Sequence, residues 1–324
     1  MIHAIWKTKN LISSLLKPFS LIYYLFFLFY KSLRSENICK IPIVCVGNVT
    51  VGGSGKTPVV IKLRKVLKRH FTKIFVLTRG YKGKKKGPII VNNKLTFLEV
   101  GDESILHSKH GLTCMAKNKV EGARLCEAND SELIIMDDGL QSIDIKKDIK
   151  ILVIDGDYCF GNERILPAGP LREPAKKAIK ASDLILIIGN KKKIDKYKMI
   201  PTNKVFYAKK IIKTTHLKGK KLYVFSALGN NENFHNSLNE KGLKISKYKE
   251  FPDHHLFKES EIKEIIIEAK EKNFFIVCTF KDHLKLPEKY KKYIYPVELD
   301  LKVEEQKKFI SKILNSIKLR KVQN

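Results

Sequence analysis

A glycine-rich segment, residues 47–58, carries the clearest chemistry in this sequence. It ends in a Gly55-Lys56-Thr57-Pro58 run. Glycines allow backbone amides to turn toward phosphate oxygens, and the N-terminus of a following helix adds partial positive charge. The segment therefore predicts a phosphate-binding loop. The residues expected to bind the nucleotide are Thr50, Val51, Gly52, Gly53, Ser54, Gly55, Lys56 and Thr57.

Two side chains of this loop have separate expected roles. Lys56 would reach the β- and γ-phosphates of a nucleotide, and the Thr57 hydroxyl would bind Mg²⁺. Thr50 stands where the common G-x-x-x-x-G-K-[ST] pattern has its first glycine, so the match to that pattern is incomplete. The alternative is a purely structural glycine-rich turn. We favour phosphate binding because the G-K-T core lies between a strand pattern and a helix pattern.

A pair of aspartates follows a second apolar run. Residues 133–136 are Leu-Ile-Ile-Met, and Asp137 and Asp138 come directly after them. An apolar strand that delivers a carboxylate beside a phosphate loop is the Walker B arrangement, in which the carboxylate helps to hold Mg²⁺. Adjacent aspartates also cap turns, and without the phosphate loop that alternative would be preferred.

A third segment indicates whether the nucleotide carries guanine or adenine. Residues 190–193 follow an apolar run at the place where GTPases carry N-K-x-D, but Lys193 replaces the aspartate that reads guanine. We therefore predict ATP as the phosphate donor and Mg²⁺ as the cofactor.

Alternating strand and helix patterns must position these groups. Short apolar runs begin at residues 41, 74, 133, 151 and 184, and an apolar helical pattern covers residues 56–70. Such runs indicate parallel strands buried on both faces, whose ligands bind at the carboxyl ends of the strands. The predicted fold is α/β: a P-loop NTPase-like, doubly wound, mostly parallel sheet with a second, smaller α/β lobe.

A change of composition suggests the domain boundaries. Residues 191–215 are rich in lysine, and new patterns follow: strands near 222–225, 274–279 and 293–297, and helices at 259–270 and from 304. We predict a membrane-associated N-terminal helix at 1–35, a nucleotide-binding lobe at 36–205 and a second lobe at 206–324, with a cleft between the lobes.

The N-terminal segment is apolar and flanked by basic residues. Residues 18–30 carry no charge, whereas Lys17 precedes them and Lys31 and Arg34 follow. As a helix, this stretch reaches about 20 Å, less than the ~30 Å hydrocarbon core of a bilayer. We expect a helix that lies in or dips into one leaflet. A signal peptide is disfavoured because no small-x-small cleavage site follows, and a buried core helix is the weaker alternative.

Composition and charge argue against several other classes of protein. The 324 residues carry a net charge of +30, but only eight of the 63 basic residues are arginines and the lysines are dispersed. A nucleic-acid-associated ATPase would instead cluster arginines and aromatic residues on one face. Six cysteines lack C-x-x-C spacing, which indicates reduced thiols rather than zinc ligands. A membrane-bound binding module with a degenerate loop is disfavoured by the intact G-K-T core. We expect no nucleic-acid partner and see no sign of an obligate protein partner.

These patterns together resemble the tetraacyldisaccharide 4′-kinases of lipid A biosynthesis. That family carries V-G-N-x-T-V-G-G-x-G-K-T-P, matched by residues 46–58, so Thr50 is a family trait. Two matches contain a substitution: Ser104 follows the G-D-E at 101–103 in place of Pro, and Phe280 replaces Glu in a T-E-K-D-like stretch at 279–282. The other segments that resemble family patterns are 78–83 (T-R-G-Y-K-G), 137–141 (D-D-G-L-Q), 161–174 (G-N to L-R-E-P), 227–230 (A-L-G-N) and 251–254 (F-P-D-H).

The resemblance implies a substrate and a location. The acceptor would be a glucosamine disaccharide 1-phosphate with four acyl chains, and phosphorylation of its 4′-hydroxyl by ATP would give lipid IVA. The partners implied are this lipid and the surface of the inner membrane, at its cytoplasmic face.

The resemblance also implies roles for single residues. Asp102, in the G-D-E stretch, would be the base for the acceptor hydroxyl, and His254 would orient it or tune its pKa from the other lobe. Glu103 is a weaker candidate for the metal, and His255 is not expected to take part. Without the resemblance, Asp102 would be interpreted as a turn residue and His254 as structural.

The metal and the phosphate charges complete the predicted site. Thr57, Asp138 and Glu173 are the residues expected at or next to Mg²⁺. Arg79, Arg172 and Asp137 are assigned to charge balance at the γ-phosphate or to the 1-phosphate of the acceptor. A structural salt bridge is an equal alternative for each arginine.

Overall fold

The computed structural model describes residues 5–194, 197–212, 214–229 and 231–323. Residues 1–4 of the predicted N-terminal helix and Asn230 of the predicted 227–230 turn lie outside the described residues. The description of the helices and strands that follows covers these ranges only.

Nine strands form the larger sheet. In chain order they are β1 (Ile43–Gly47), β2 (Ile74–Thr78), β3 (Ile89–Ile90), β4 (Thr113–Met115), β5 (Leu133–Asp137), β6 (Ile149–Asp155), β7 (Leu184–Ile188), β8 (Val205–Ile212) and β13 (Leu299–Val303). Their order across the sheet is β13-β8-β7-β6-β1-β5-β2-β4-β3. Pairing is parallel except at the two edges, where β3–β4 and β8–β13 are antiparallel. The prediction of a mostly parallel α/β sheet is therefore confirmed.

The smaller sheet has four parallel strands in the order β10-β9-β11-β12. Their bounds are β9 (Lys221–Ser226), β10 (Lys244–Glu250), β11 (Phe275–Thr279) and β12 (Ile294–Val297). Sheet membership thus differs from the predicted boundary at residue 206. Residues 205–212 still belong to the larger lobe, and residues 299–323 return to it after the smaller lobe. The reason is that β13 pairs with β8 and the last helix packs on the larger core.

Helices cover both sheets. They are α1 (Leu11–Leu15), α2 (Lys17–Ser32), α3 (Lys56–Leu67), α4 (Phe97–Val100), α5 (Asp102–Ser108), α6 (Lys119–Ala128), α7 (Ala175–Ala181), α8 (Asn231–Asn239), α9 (Glu259–Glu271), α10 (Phe280–His283), α11 (Glu288–Lys291) and α12 (Gln306–Gln323). Helix α3 follows the glycine-rich segment directly. It buries Val59, Val60, Leu63 and Leu67 against the strands, and this packing holds its N-terminus at the carboxyl edge of the sheet.

The N-terminal segment forms α1 and α2 and attaches through its serines. Ser20 Oγ donates to the carbonyl oxygen of Ile165 at 2.8 Å, and Arg164 donates to Ser13 Oγ at 2.6 Å. The opposite face of α2 is apolar and exposed. Within the described ranges, no helix combines the length and the apolar character needed to cross a membrane.

Candidate active site

Two glycines of the glycine-rich loop have a positive backbone angle φ. Gly52 and Gly55 have φ values of +106° and +83°, in the region that favours glycine. Gly55 caps the N-terminus of α3, and a Cβ atom there would come within 2.9 Å of Ile188 Cδ1. A side chain at this position would therefore strain the backbone and crowd β7. Residues 51–57 of the loop line the cleft between the lobes.

A second segment, residues 165–173, supports the loop from behind. The backbone amide of Val51 donates to the carbonyl oxygen of Pro170 at 2.8 Å, and that of Arg172 donates to Val49 at 2.8 Å. Thr50 is buried and forms an isolated β-bridge with Leu171. The threonine that replaces the first glycine of the common pattern thus contributes to the attachment of the loop.

Lys56 lies at the base of the loop among oxygen atoms. Its Nζ atom donates to Asn48 Oδ1 at 3.0 Å and lies 3.6 Å from an Asp138 carboxylate oxygen. The hydroxyl of Ser54 is buried and has no hydrogen-bond partner in the described structure. The loop therefore presents a cation and a free hydroxyl close to its backbone amides.

Asp137, at the end of β5, lies beside Thr57. The Thr57 hydroxyl is 3.4 Å from Asp137 Oδ2, and His107 Nε2 is 2.7 Å from the same oxygen. The Asp137 side chain is only 2% exposed, yet its Oδ1 atom has no hydrogen-bond partner among the described residues. Sequence reasoning missed His107, because α5 is too short for its facing side to be read from apolar periodicity.

Asp138 instead lies between two cations. It accepts from Arg172 at 3.2 Å in addition to its contact with Lys56. Burial by itself would raise the pKa of Asp138, but the charges of Lys56 and Arg172 outweigh it and lower the pKa below its ordinary value. Its φ of +53° is uncommon for a residue other than glycine. The carboxylate is thus charged and held in place.

Glu173 is tied to the neighbouring glutamine. Gln141 donates to Glu173 at 3.1 Å, to the carbonyl oxygen of Asn48 at 3.0 Å, and accepts from Arg172 at 3.1 Å. Tyr23 of α2 also lies close: burial raises its pKa, with the charge of Arg172 acting against this and that of Glu173 adding to it. The predicted D-D-G-L-Q and L-R-E segments therefore meet in one network next to α2.

The metal prediction can be tested against these oxygens. Among the described residues, no group of three or more His, Cys, Asp and Glu side chains is placed to hold a metal ion. Mg²⁺ commonly needs only one or two protein oxygens, because phosphates and water supply the rest. The Thr57 hydroxyl and the free Oδ1 of Asp137 fit that requirement. Asp138 and Glu173 are engaged with Arg172 and Gln141.

Two side chains of the smaller lobe contact Asp102. His254 Nδ1 lies 2.8 Å from Asp102 Oδ2, and Lys281 Nζ lies 3.4 Å from it. Burial would raise the pKa of Asp102, but the His254 hydrogen bond and the Lys281 charge together hold it well below its ordinary value. Sequence reasoning gave Asp102 and His254 a shared function from different lobes but assigned no role to Lys281, although the T-F-K-D segment could have indicated it.

Glu103 faces the cleft on the same helix. Burial and the negative charge of Asp137 raise the pKa of Glu103. His255, by contrast, turns away from the cleft, stacks on Phe251 and contacts Glu261 at 2.9 Å.

One large cleft joins these parts. Its volume is about 1530 Å³, and it is lined by the glycine-rich loop, by both lobes and by the N-terminal segment. Tyr23 and Phe27 of α2 form one wall, Arg79 and Tyr81 form another, and His254 and Lys281 contribute from the smaller lobe. The glycine-rich loop, the carboxylates of Asp137 and Asp138, and apolar side chains of α2 therefore share one space.

The sheet topology and a cleft at the carboxyl ends of parallel strands define a mostly parallel α/β protein with a nucleotide-type site. Comparison with known proteins narrows this class. The sequence model of the tetraacyldisaccharide-1-P 4′-kinase family matches residues 12–318. The chain belongs to this family.

Individual relatives agree with the family assignment. A tetraacyldisaccharide 4′-kinase of Rickettsia canadensis is 38% identical over 284 residues, which cover 86% of each chain. One of Paramagnetospirillum magneticum is 35% identical over 290 residues, which cover 87% of this chain and 88% of the relative. The crystal structure of LpxK from Aquifex aeolicus in complex with ATP is similar with a TM-score of 0.78 and 28% identity, covering 95% of this chain and all of that one.

Proposed function

We propose that this protein transfers the γ-phosphate of ATP to the 4′-hydroxyl of a tetraacyldisaccharide 1-phosphate, which gives lipid IVA. The observation that carries the proposal is a single cleft lined by the glycine-rich loop, by apolar side chains of α2 and by His254, whose Nδ1 contacts the buried Asp102. The family supplies the identity of the acceptor.

The nucleotide is held at the loop. The amides of residues 52–57 bind the phosphate oxygens, and Lys56 balances the negative charge that develops on the leaving β-phosphate oxygen during transfer. Magnesium, when bound, neutralises negative charge between the phosphates. Thr57 and Asp137 are the residues that would hold it, whereas Asp138 and Glu173 act from further away by orienting Arg172 and Gln141.

The acceptor hydroxyl is held at Asp102. A carboxylate whose pKa is kept low stays charged at neutral pH, so it accepts a hydrogen bond from the hydroxyl and aligns that oxygen with the γ-phosphate. His254 and Lys281 come from the smaller lobe, so the docked lobes complete this arrangement. Removal of the proton contributes late, because the transition state of phosphoryl transfer is loose.

Two arginines of the cleft would bind different anionic groups of the substrates. Arg172 is committed to Asp138 and lies near the loop, which suits charge balance at the γ-phosphate. Arg79 lines the cleft wall next to Tyr81 and is exposed, which suits the 1-phosphate of the acceptor.

The lipid reaches the cleft along α2. Six large apolar side chains on this helix are each more than half exposed: Phe19, Leu21, Ile22, Leu25, Phe26 and Phe29. A face of this kind is stabilised when it enters the acyl region of a leaflet. Because Tyr23 and Phe27 of the same helix line the cleft, insertion would bring the acceptor next to the loop. The protein would then work at the cytoplasmic face of the inner membrane without crossing it.

We expect the triple variant Leu25→Ser, Phe26→Ser, Phe29→Ser to lose membrane association. Each buried apolar side chain contributes about 1.5–3 kcal/mol to such partition. Most of the variant should appear in the soluble fraction after sedimentation, and its KM for the lipid should rise more than its KM for ATP.

A matched triple variant tests whether the loss of any three exposed apolar side chains would reduce membrane association. Leu98, Leu112 and Ile267 are also exposed but lie away from α2. Their replacement by serine should leave sedimentation unchanged. If the α2 variant still sediments fully with membranes, another surface, such as the dispersed lysines, holds the protein there.

The proposed reaction is tested directly by labelled phosphate transfer. Purified protein in detergent, given γ-³²P-labelled ATP, Mg²⁺ and the tetraacyldisaccharide 1-phosphate, should label the lipid, as seen by thin-layer chromatography. Label in inorganic phosphate alone, with none in the lipid, would contradict the proposal.

A further inference from the structure

Four residues of the larger lobe form a closed set of contacts behind the nucleotide loop. Thr57 begins α3 and contacts Asp137 Oδ2 at 3.4 Å. His107, on α5, contacts the same oxygen at 2.7 Å. Arg64, two turns further along α3, donates to the carbonyl oxygen of His107 at 2.8 Å. The path therefore returns to the helix on which it began.

The members of this set other than Thr57 are buried. His107 is fully buried, and Arg64 is 1% exposed. Arg64 also donates to the Thr113 hydroxyl at 3.3 Å, so it joins the strand β4 to the end of α5. Buried polar groups of this kind are costly unless they are paired, which makes a purely accidental arrangement unfavourable.

The geometry determines which atom carries the proton. A carboxylate oxygen only accepts, so His107 Nε2 must be the donor to Asp137 Oδ2. The other imidazole nitrogen, Nδ1, is buried with no hydrogen-bond partner in the described structure.

We propose that His107 is a positioning residue for the proposed reaction: its Nε2–H fixes Asp137 so that the other carboxylate oxygen, Oδ1, remains free. Oδ2 is then occupied by His107 and Thr57, and Oδ1 is the buried atom without a partner. Arg64 holds the backbone of His107, so the same helix that carries Thr57 sets the distance to Asp137. This role rests on the proposed function, because Thr57 and Asp137 are the residues that would hold Mg²⁺.

Two substitutions at position 107 separate hydrogen bonding from packing. The amide Nε2 of Gln lies as many bonds from Cα as the imidazole Nε2, so His107→Gln keeps a donor within reach. His107→Leu keeps similar bulk but has no donor. Ile105→Ala serves as the control, because Ile105 packs on Val100 and Met115 and its loss loosens α5 without touching Asp137.

The readout is binding of Mn²⁺, as a probe for Mg²⁺, to protein saturated with a non-hydrolysable ATP analogue, followed by electron paramagnetic resonance. Removing such a supporting group typically weakens metal affinity about 10- to 100-fold, so we expect this loss in His107→Leu. His107→Gln should stay close to wild type, and Ile105→Ala should change thermal stability but not Mn²⁺ affinity.

A spectroscopic measurement on the metal-free wild-type protein gives a second readout. In ¹⁵N-histidine spectra, the signals lost in His107→Gln should belong to a ring that is protonated on Nε2.

Either readout can overturn the role. Wild-type Mn²⁺ affinity in His107→Leu would do so, as would equal losses in the Gln and Leu variants, an equal loss in Ile105→Ala, or an Nε2 without a proton. Absence of lipid phosphorylation by the wild-type protein would contradict the proposed function instead, so the two failures are distinguishable.

Discussion

Replacing Lys56 by methionine should reduce phosphate transfer about 10²- to 10³-fold, equivalent to about 3–4 kcal/mol of transition-state stabilisation. Methionine keeps the length of the side chain but removes the charge next to the developing phosphate charge. Thr57→Ala should cause a comparable loss, since it removes the hydroxyl beside Asp137. Initial rates of lipid phosphorylation at saturating ATP and acceptor measure both effects.

Lys62→Met is the matched control for Lys56→Met. Lys62 lies on the same helix, is similarly buried and forms an ion pair of similar length, 3.6 Å, with Asp300. The Lys62→Met variant should transfer phosphate at the wild-type rate, and thermal unfolding should show that both variants remain folded. Near wild-type activity in a folded Lys56→Met protein would contradict the proposal that the glycine-rich loop binds the phosphates.

The second large effect is expected at the contact between the lobes. Asp102→Asn and His254→Gln should each lower kcat about 10²- to 10³-fold, as expected when a base or its partner is lost, with little change in the KM for ATP. The double variant should be scarcely slower than the slower single one, because two residues that act as one unit are not additive. A double-mutant cycle on kcat measures this coupling.

His255→Gln is the control for the His254 variant. It removes the neighbouring imidazole, which contacts Glu261 rather than Asp102, and should leave kcat nearly unchanged. Multiplicative losses at Asp102 and His254 would show that the two residues have separate roles. A weakened affinity for ATP in Asp102→Asn would move Asp102 to the nucleotide side of the cleft.

The low pKa of Asp102 also fixes the pH range of its contacts. A group whose pKa is lower in the folded protein than in the unfolded chain stabilises the fold above the unfolded value, about 3.9 for Asp. This contribution disappears only as the pH falls through the lower, folded value. Docking of the smaller lobe through Asp102 should therefore persist at mildly acidic pH.

The sequence by itself determined the family, the mostly parallel sheet and the glycine-rich loop. Each depends on local pattern: apolar runs of strand length, glycines followed by Lys56 and Thr57, and segments in a fixed order. The strands at 43–47, 133–137 and 184–188 lie where the apolar runs predicted them. Local patterns were sufficient there because a strand buried on both faces must be apolar throughout.

The return of the chain to the larger sheet was decided by the tertiary structure. The strand at 205–212 mixes lysines with apolar residues because it lies near the sheet edge, and its partner at 299–303 comes from beyond the whole smaller lobe. No local pattern specifies a pairing across that distance. The predicted boundary at 206 was therefore placed within a strand of the larger lobe.

The division of roles among the carboxylates was also beyond the sequence. Asp137 and Asp138 are neighbours in the chain, but opposite directions of their side chains give one a buried place beside Thr57 and His107 and the other a pair of cations. Side-chain direction after a strand depends on the backbone at the turn, here with a positive φ at Asp138. The sequence supplied the residue types of the site, and the packing of α3, α5 and β5 decided which oxygen meets which partner.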